Sequence, residues 1–275
     1  MCVQPLQCGA MSSSISSERI ASLCRPAAQA VTVRVVPETG STNADLLGAL
    51  PTLTAPALLV ALNQTAGRGR AGRQWLSAPG RSLTFSLAWK FHRPVHALVG
   101  LPLAVGVALA DVLAMYGVEV GLKWPNDVLF EGRKLAGILI ESATAQDLPH
   151  AASWAVIGIG INMRLEENAL AQIGTPAIGI PWLADLDQDM LLATLASGLA
   201  EALVRFEQEG MEPFVARWNA LHAFRGRPVR ILDQGRVLHE GVALGIDAHG
   251  RLLLETGQGQ TAVMAGDVSL RAADA

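Results

Sequence analysis

The sequence predicts a mixed α/β (α+β) domain followed by a small antiparallel β-barrel, and three observations carry that prediction. Up to about residue 224, apolar runs of strand length alternate with longer helical patterns. From Gly226 the texture changes to short runs (PVRIL, RVLHEGVALGID, RLLLE, TAVMAGDVSL) punctuated by Asp-Gln-Gly, Ala-His-Gly and Gly-Gln-Gly, the pattern of successive hairpins. With 51% hydrophobic and 16% charged residues among 275, the chain can bury a large core, which excludes intrinsic disorder for most of it. A formal net charge of -3 argues against a dedicated nucleic-acid or membrane-surface protein, since both carry a large basic excess.

The elements follow in order. Residues 1–30, rich in Ser, Ala and Gln, read as a poorly ordered leader with Met11 as an alternative start. No basic stretch precedes a long apolar one, so no secretory signal is read; a transit peptide is the alternative, with Glu18 the only acid beside Arg19 and Arg25. Cys2, Cys8 and Cys24 lack the paired spacing of a zinc site or disulfide framework and read as free thiols in a reducing cytoplasm. Val31 to Val36 reads as a strand, and Thr39 to Asn43 as the turn into a helix ending before Pro51. There Ser, Thr or Asn would cap the helix, and the same donor-rich terminus suits a small polar ligand.

Ala57 to Leu62 is strand-like, and Leu83, Phe85, Leu87 and Trp89 alternate with smaller residues as in a half-buried strand. Val95 to Tyr116 is almost wholly apolar. Its longest uncharged stretch, Ala97 to Ala110, contains Gly100, Pro102 and Gly106, so it reads as a core helix and not a membrane span. Val118 to Trp124 is another strand, and Asp127 to Glu141 a hairpin turning at Glu131-Gly132-Arg133. Ala152 to Ile161 is an apolar strand ending at Asn162, and Arg164 to Leu186 reads as a long loop. Leu192 to Phe206 is an amphipathic helix supported by a Glu201–Arg205 pair, with a short helix near Glu212 to His222. His92 and His96 flank Pro94 with no accompanying Glu, and no G-x-S-x-G turn occurs, so neither a zinc pair nor a serine nucleophile is read.

The chemistry concentrates in Asn63 to Trp75, NQTAGRGRAGRQW. Three arginines (Arg68, Arg70, Arg73) sit on a glycine-spaced backbone (Gly67, Gly69, Gly72) that can approach a ligand closely. From Leu46 to Ala110 there is no acid, while Arg68, Arg70, Arg73, Arg81, Lys90 and Arg93 give +6. The string GRGRAG satisfies G-x-G-x-x-G, but no helix pattern opens at the glycines and no acid follows at ribose distance, so a dinucleotide turn is rejected. A nucleic-acid-binding RGG segment would be long and repetitive, unlike this single copy.

Together with Ser41-Thr42-Asn43, Lys123-Trp124-Pro125-Asn126-Asp127, Arg133-Lys134-Leu135-Ala136-Gly137-Ile138 and Gly158-Ile159-Gly160-Ile161-Asn162, the loop resembles that of the biotin protein ligases. The five motifs occur in the family's order, from about Val33 to the C-terminus. The resemblance implies a biotin/ATP-binding catalytic domain over 31–224, with a mixed sheet of the biotin/lipoate ligase type, and an SH3-like barrel over 225–275. Some relatives carry an N-terminal winged helix-turn-helix; about 30 leader residues are too few for one, so the resemblance is to the short form.

The activity implied is formation of biotinoyl-AMP from biotin and ATP, with Mg²⁺ bound alongside the nucleotide and no protein metal ligand assigned. Transfer to a lysine of a biotin carboxyl carrier protein follows. Biotin would be held by Ser41, Thr42, Asn43, Gln64, Gly67, Arg68, Gly69, Arg70, Lys134 and Gly137. ATP and the adenylate would meet Arg70, Arg73, Lys123, Asn126, Lys134, Asn162 and, stacking on adenine, Trp182. Lys134, Arg68, Arg70 and Asp127 would carry the chemistry, Asp127 orienting or deprotonating the acceptor amine. The family loop commonly reads GRGRRGR; here Ala71 removes one charge, which is expected to affect adenylate retention more than synthesis. The protein is expected to be cytoplasmic, a monomer or homodimer, with no nucleic-acid or membrane partner. Two alternatives stay open: a lipoate or octanoate ligase of the same architecture, and a biotin-responsive DNA-binding regulator.

Overall fold

The computed structural model describes residues 15–144, 152–166, 175–233, 235–266 and 268–273. Its centre is a seven-stranded mixed sheet in the order β1-β2-β3-β7-β6-β5-β4. The strands are β1 (Thr32–Thr39), β2 (Ala57–Gln64), β3 (Ser82–Phe91), β4 (Gly121–Lys123), β5 (Asp127–Phe130), β6 (Arg133–Thr144) and β7 (Ser153–Asn162). Only β1 and β2 run parallel; every other pairing is antiparallel.

Both faces of this sheet are covered. Helix α2 (Thr42–Ala49) lies on one face, where Leu46 and Leu50 meet Leu59, Trp154 and Val156. Helices α3 (Leu101–Met115) and α4 (Gln188–Glu209) lie on the other and bury Phe85, Leu87, Ile157 and Ile159 in the main core. The alternation read in β3 therefore does not mark a half-exposed strand: Thr84 and Ser86 are buried beneath α2 as fully as Phe85 and Leu87 are beneath α3. The stretch Val95–Met115 is long and apolar enough to cross a membrane by composition, and most of it is buried against the sheet. It is broken at Gly100, whose positive φ of 88° a glycine accepts without strain.

The expectations for the leader and for Glu201 also need correction. The leader is not poorly ordered throughout: residues 15–30 include helix α1 (Ser17–Leu23), capped by Ser16, and residues 1–14 lie outside the described part. Ile20 is 0% exposed in the main core, and Arg19 reaches the buried Asp189 at 3.2 Å and the α4 cap Asp187. Seven residues give too short a window for periodicity to reveal; a single buried isoleucine and two ion pairs fix the helix. Second, Glu201 pairs with Arg25 at 2.9 Å across to the leader, and Arg205 pairs with Glu209 instead.

After helix α5 (Glu212–Leu221) the chain forms a separate five-stranded antiparallel sheet, β11-β10-β9-β8-β12. It comprises β8 (Pro228–Asp233), β9 (Arg236–Ile246), β10 (Leu252–Thr256), β11 (Gly259–Val263) and β12 (Val268–Ala272). Among the described residues β11 and β12 are its two edges, so the hydrogen bonding records an antiparallel sheet and not a closed barrel. The two units are joined by specific contacts. The Trp124 indole N–H donates to the Gly250 carbonyl at 3.2 Å, and the Asn219 amide bridges both backbone groups of Ile246. His222, buried beside Trp218, is pushed down to about 4 by desolvation, with Arg225 adding to the shift.

Ile20→Ala removes a fully buried side chain from the α1–α4 seam and is expected to cost about 2–5 kcal/mol in chemical denaturation. A loss below about 0.5 kcal/mol would show that α1 contributes no core.

Candidate active site

Two of the cavities lined by the glycine-arginine loop meet beside strands β6 and β7. The larger, about 430 Å³, is lined by Arg70, Arg73, Lys123, Lys134 and Arg271, with Asp127 the one carboxylate among the described residues lining it. The smaller is a slot of about 50 Å³ lined by Ser41, Thr42, Asn43, Gln64, Arg68 and Gly137, among others. Gly69, Arg70, Trp75, Asn126 and Lys134 line both, so the shared wall carries two cations.

Local backbone explains how the loop presents its charges. No helix opens at the glycines; Arg70–Gly72 makes one 3₁₀ turn, with Ala71 at φ 52° and Gly72 at φ 68°. Gly67 lines neither cavity but is needed beside them: its carbonyl accepts from Trp75 N–H at 2.9 Å, and a Cβ there would lie 2.6 Å from the Trp75 carbonyl oxygen. Arg70 donates to the Asn126 Oδ1 at 3.0 Å and to the Gly266 and Val268 carbonyls, tying the loop to the C-terminal sheet. Arg68 instead faces Glu141, at 3.7 Å.

The hairpin β5–β6 supplies the other charges. Lys134 Nζ lies 2.5 Å from Asp127 Oδ1, and Lys123 Nζ 3.8 Å from Asp127 Oδ2, so one carboxylate stands between two ammonium groups. A bulge between Val128 and Leu129 directly follows Asp127, and such bulges re-aim side chains. Lys123 is pushed down to about 8 by desolvation, opposed by Asp127 and reinforced by Arg271, Lys134 and Arg73. The Asn162 amide donates to the Lys134 carbonyl at 3.1 Å, which anchors the strand carrying that lysine.

The slot is polar at one end and bare at the other. Ser41 caps α2, its hydroxyl accepting from Ala44 N–H at 3.5 Å, while Thr42 N–H donates to Gln64 Oε1 at 2.8 Å. Asn43 turns inward to Ser86 and Glu141. Gly137 and Gly160 pair across β6 and β7, and Leu139 faces Gly158. This leaves the sheet without side chains, and the Trp75 indole fills the space: a Cβ at Gly160 would lie 2.3 Å from its ring. The Trp75 Nε1 is buried without a partner, and the Lys134 ammonium sits 5.9 Å from the ring centroid.

The structure thus brings every site residue read from the sequence to the walls of these two cavities, except Gly67 and Trp182, which line neither. Trp182 is 45% exposed on the 3₁₀ turn Pro181–Asp185 and lines neither cavity; the part of the expected loop spanning 167–174 lies outside the described residues. The aromatic ring at the shared wall is Trp75, inside the loop motif itself. Sequence reasoning also missed Arg271, brought in from β12, and Glu141 and Ser86, which act behind the slot. Nothing local marks these three; only the fold makes them neighbours.

Known proteins bear the same organisation. Residues 34–162 match the model described as the biotin/lipoate A/B protein ligase family, and residues 224–271 that of the biotin protein ligase C-terminal domain. The chain is 41% identical over 249 residues to the bifunctional ligase/repressor BirA of Salmonella typhimurium, covering 88% of this chain and 75% of that protein. It is 34% identical over 241 residues to the biotin–[acetyl-CoA-carboxylase] ligase of Mycobacterium tuberculosis, covering 85% and 87%. The solved biotin protein ligase of Aquifex aeolicus in complex with biotin and ATP superposes with a TM-score of 0.73 at 28% identity, covering 88% of this chain and 99% of that one.

Lys123 is charged only below about pH 8, so the affinity of the larger cavity for a polyphosphate anion is expected to fall as pH rises through that value. Calorimetric titration with inorganic pyrophosphate between pH 7 and 9 measures this, and an affinity flat across the range would remove Lys123 from anion binding.

Proposed function

Because the chain belongs to the biotin protein ligase family, we propose that it activates biotin with ATP as biotinoyl-AMP and transfers the acyl group to a lysine of a biotin carboxyl carrier protein. The observation that carries this reading is the shared wall: a narrow slot and a cationic cavity meet at Arg70 and Lys134, which line both. A carboxylate lying in the slot and an α-phosphate lying in the cavity would come into contact there. Two anions repel, so the first step needs fixed cations more than it needs a proton transfer.

In that step a biotin carboxylate oxygen attacks the α-phosphorus, and the bond to pyrophosphate breaks. Arg68 and Arg70 steady the carboxylate and α-phosphate, and Lys134 stays with the phosphate through attack and departure. For this, Arg70 exchanges its carbonyl partners at Gly266 and Val268 for substrate oxygens. Arg73, Lys123 and Arg271 neutralise the remaining phosphate charge around the larger cavity. Thr42 and Gln64 hold the polar head of biotin in the slot, and Ser41 acts chiefly as the cap of α2.

Among the described residues no three His, Cys, Asp or Glu side chains gather into a metal site. Among its described residues the larger cavity offers amides from Asn126 and Asn162 beside the Asp127 carboxylate, a set that would suit Mg²⁺ brought on nucleotide phosphates and does not itself cage an ion. Bound that way, Mg²⁺ would offset phosphate charge, and the two amides would hold the nucleotide that brings it.

In the second step the acceptor amine attacks the acyl carbon, AMP departs, and the amine sheds a proton. Asp127 orients that amine. Because Asp127 already accepts from Lys134 and faces Lys123, it also fixes the two ammonium groups, and the two roles separate kinetically.

Lys134→Ala is expected to slow adenylate formation by roughly 10²-fold or more, as loss of a charged transition-state donor does, with the fold retained. Wild-type pyrophosphate release by this variant would take Lys134 out of the mechanism. Asp127→Asn, supplied with preformed biotinoyl-AMP, is expected to slow transfer to the carrier by roughly 10²-fold. If transfer proceeds at the wild-type rate while adenylate formation falls, Asp127 serves only to hold Lys134.

A further inference from the structure

Behind the slot runs a chain of short contacts that ends on a residue outside it. Thr42 Oγ1 lies 3.1 Å from Gln64 Oε1 and 2.6 Å from Ser86 Oγ; Ser86 Oγ lies 2.6 Å from Asn43 Oδ1; and Asn43 Nδ2 lies 2.8 Å from Glu141 Oε2. Thr42, Ser86 and Asn43 are all buried, Ser86 completely, so water does not complete the set.

The protons can be counted. Three oxygen–oxygen contacts (Thr42–Gln64, Thr42–Ser86, Ser86–Asn43) share only two hydroxyl hydrogens, one on Thr42 and one on Ser86. One contact must therefore go without. Glu141 decides which. A carboxylate only accepts, so Asn43 must turn Nδ2 toward it, and the Leu139 carbonyl at 3.4 Å demands the same orientation. Asn43 Oδ1 then faces Ser86 as an acceptor and takes the Ser86 proton. Ser86 Oγ in turn accepts the Thr42 proton. The contact given up is Thr42–Gln64, the longest of the three, whose acceptor is already satisfied by the Thr42 backbone N–H at 2.8 Å.

We propose that Glu141 is a positioning residue that polarises the relay Asn43–Ser86–Thr42, committing the Thr42 proton away from the slot so that Thr42 Oγ1 meets the ligand as an acceptor. The same logic fixes Gln64: with Oε1 held by Thr42 N–H, its Nε2 lies on the Gly67 side as a donor. An acceptor beside a donor recognises a group that pairs an N–H with a neighbouring C=O, such as a cyclic urea. A dithiolane or a plain acyl chain offers no N–H and would leave the Thr42 lone pair unmatched, a loss that buried polar sites punish. Arg68, 3.7 Å from the same Glu141 oxygen, reinforces the carboxylate's hold from the loop side.

This inference rests on the slot taking biotin, and the test separates the two claims. Binding is measured by calorimetry on the full chain with biotin and with biotin methylated on its ureido nitrogens, for the wild type, Glu141→Met and Ser86→Ala. Glu141→Met removes the acceptor at nearly constant length, and Ser86→Ala cuts the relay at a second point should the first variant not fold. Wild type is expected to prefer biotin, and in each folded variant that preference shrinks by roughly ten-fold, the weight of one hydrogen bond to a buried acceptor. Biotin alone loses affinity, while the methylated ligand does not. A preference unchanged in the variants overturns the relay while leaving the slot's ligand in place. Failure of the wild type to bind biotin overturns the reading of the slot, and the relay's purpose with it.

Discussion

Five cations facing one cavity repel each other, and the rest of the site depends on how that repulsion is contained. Asp127 is the pivot. Its carboxylate stands 2.5 Å from Lys134 and 3.8 Å from Lys123, just ahead of the register shift between Val128 and Leu129. Of the arginines there, Arg70 is restrained by Asn126 and by carbonyls leading into β12, and on the slot side Arg68 faces Glu141. Each of these named ties is to a neutral oxygen or a shared carboxylate, which a substrate anion can outbid. Preorganised charge of this kind is what a reaction between two anions requires, because little charge must be rearranged as the barrier is crossed.

A second constraint acts on the sheet. Gly137, Gly158 and Gly160 strip the centre of β6 and β7 of side chains where the slot crosses them, and the vacated space is filled on one side by Trp75 and on the other by Asn43. Any Cβ at Gly158 would meet the Asn43 amide at 2.3 Å. The GIG of β7 therefore serves two ends at once: it admits the indole that walls the slot, and it admits the amide through which Glu141 acts on Thr42.

The sequence exposed the parts whose signal is local. Strand and helix periods located β2, β3, β6, β7, α3 and α4 closely, and turn chemistry located the β5–β6 hairpin. The candidate site was legible for a different reason: glycine-spaced arginines in acid-free sequence point to an anion, and the resemblance carried by five ordered motifs implies which residues would face it. What stayed hidden depends on tertiary neighbours. Helix α1 is held by Ile20 and by Arg19 reaching α4, contacts more than a hundred residues apart in sequence. Arg271 enters from the last strand, and Glu201 prefers Arg25 across the fold to the helical neighbour four residues on. Trp182, read from its loop position as the adenine-stacking ring, lines neither cavity, while Trp75 packs on the bare glycines of the slot.

The central claim is that the slot and the cationic cavity together join a biotin carboxylate to an α-phosphate. ATP–pyrophosphate exchange by the purified protein with Mg²⁺ tests it directly, comparing biotin, lipoate and no added acid. The account predicts exchange with biotin alone. Exchange with lipoate alone, or with neither acid, would contradict it.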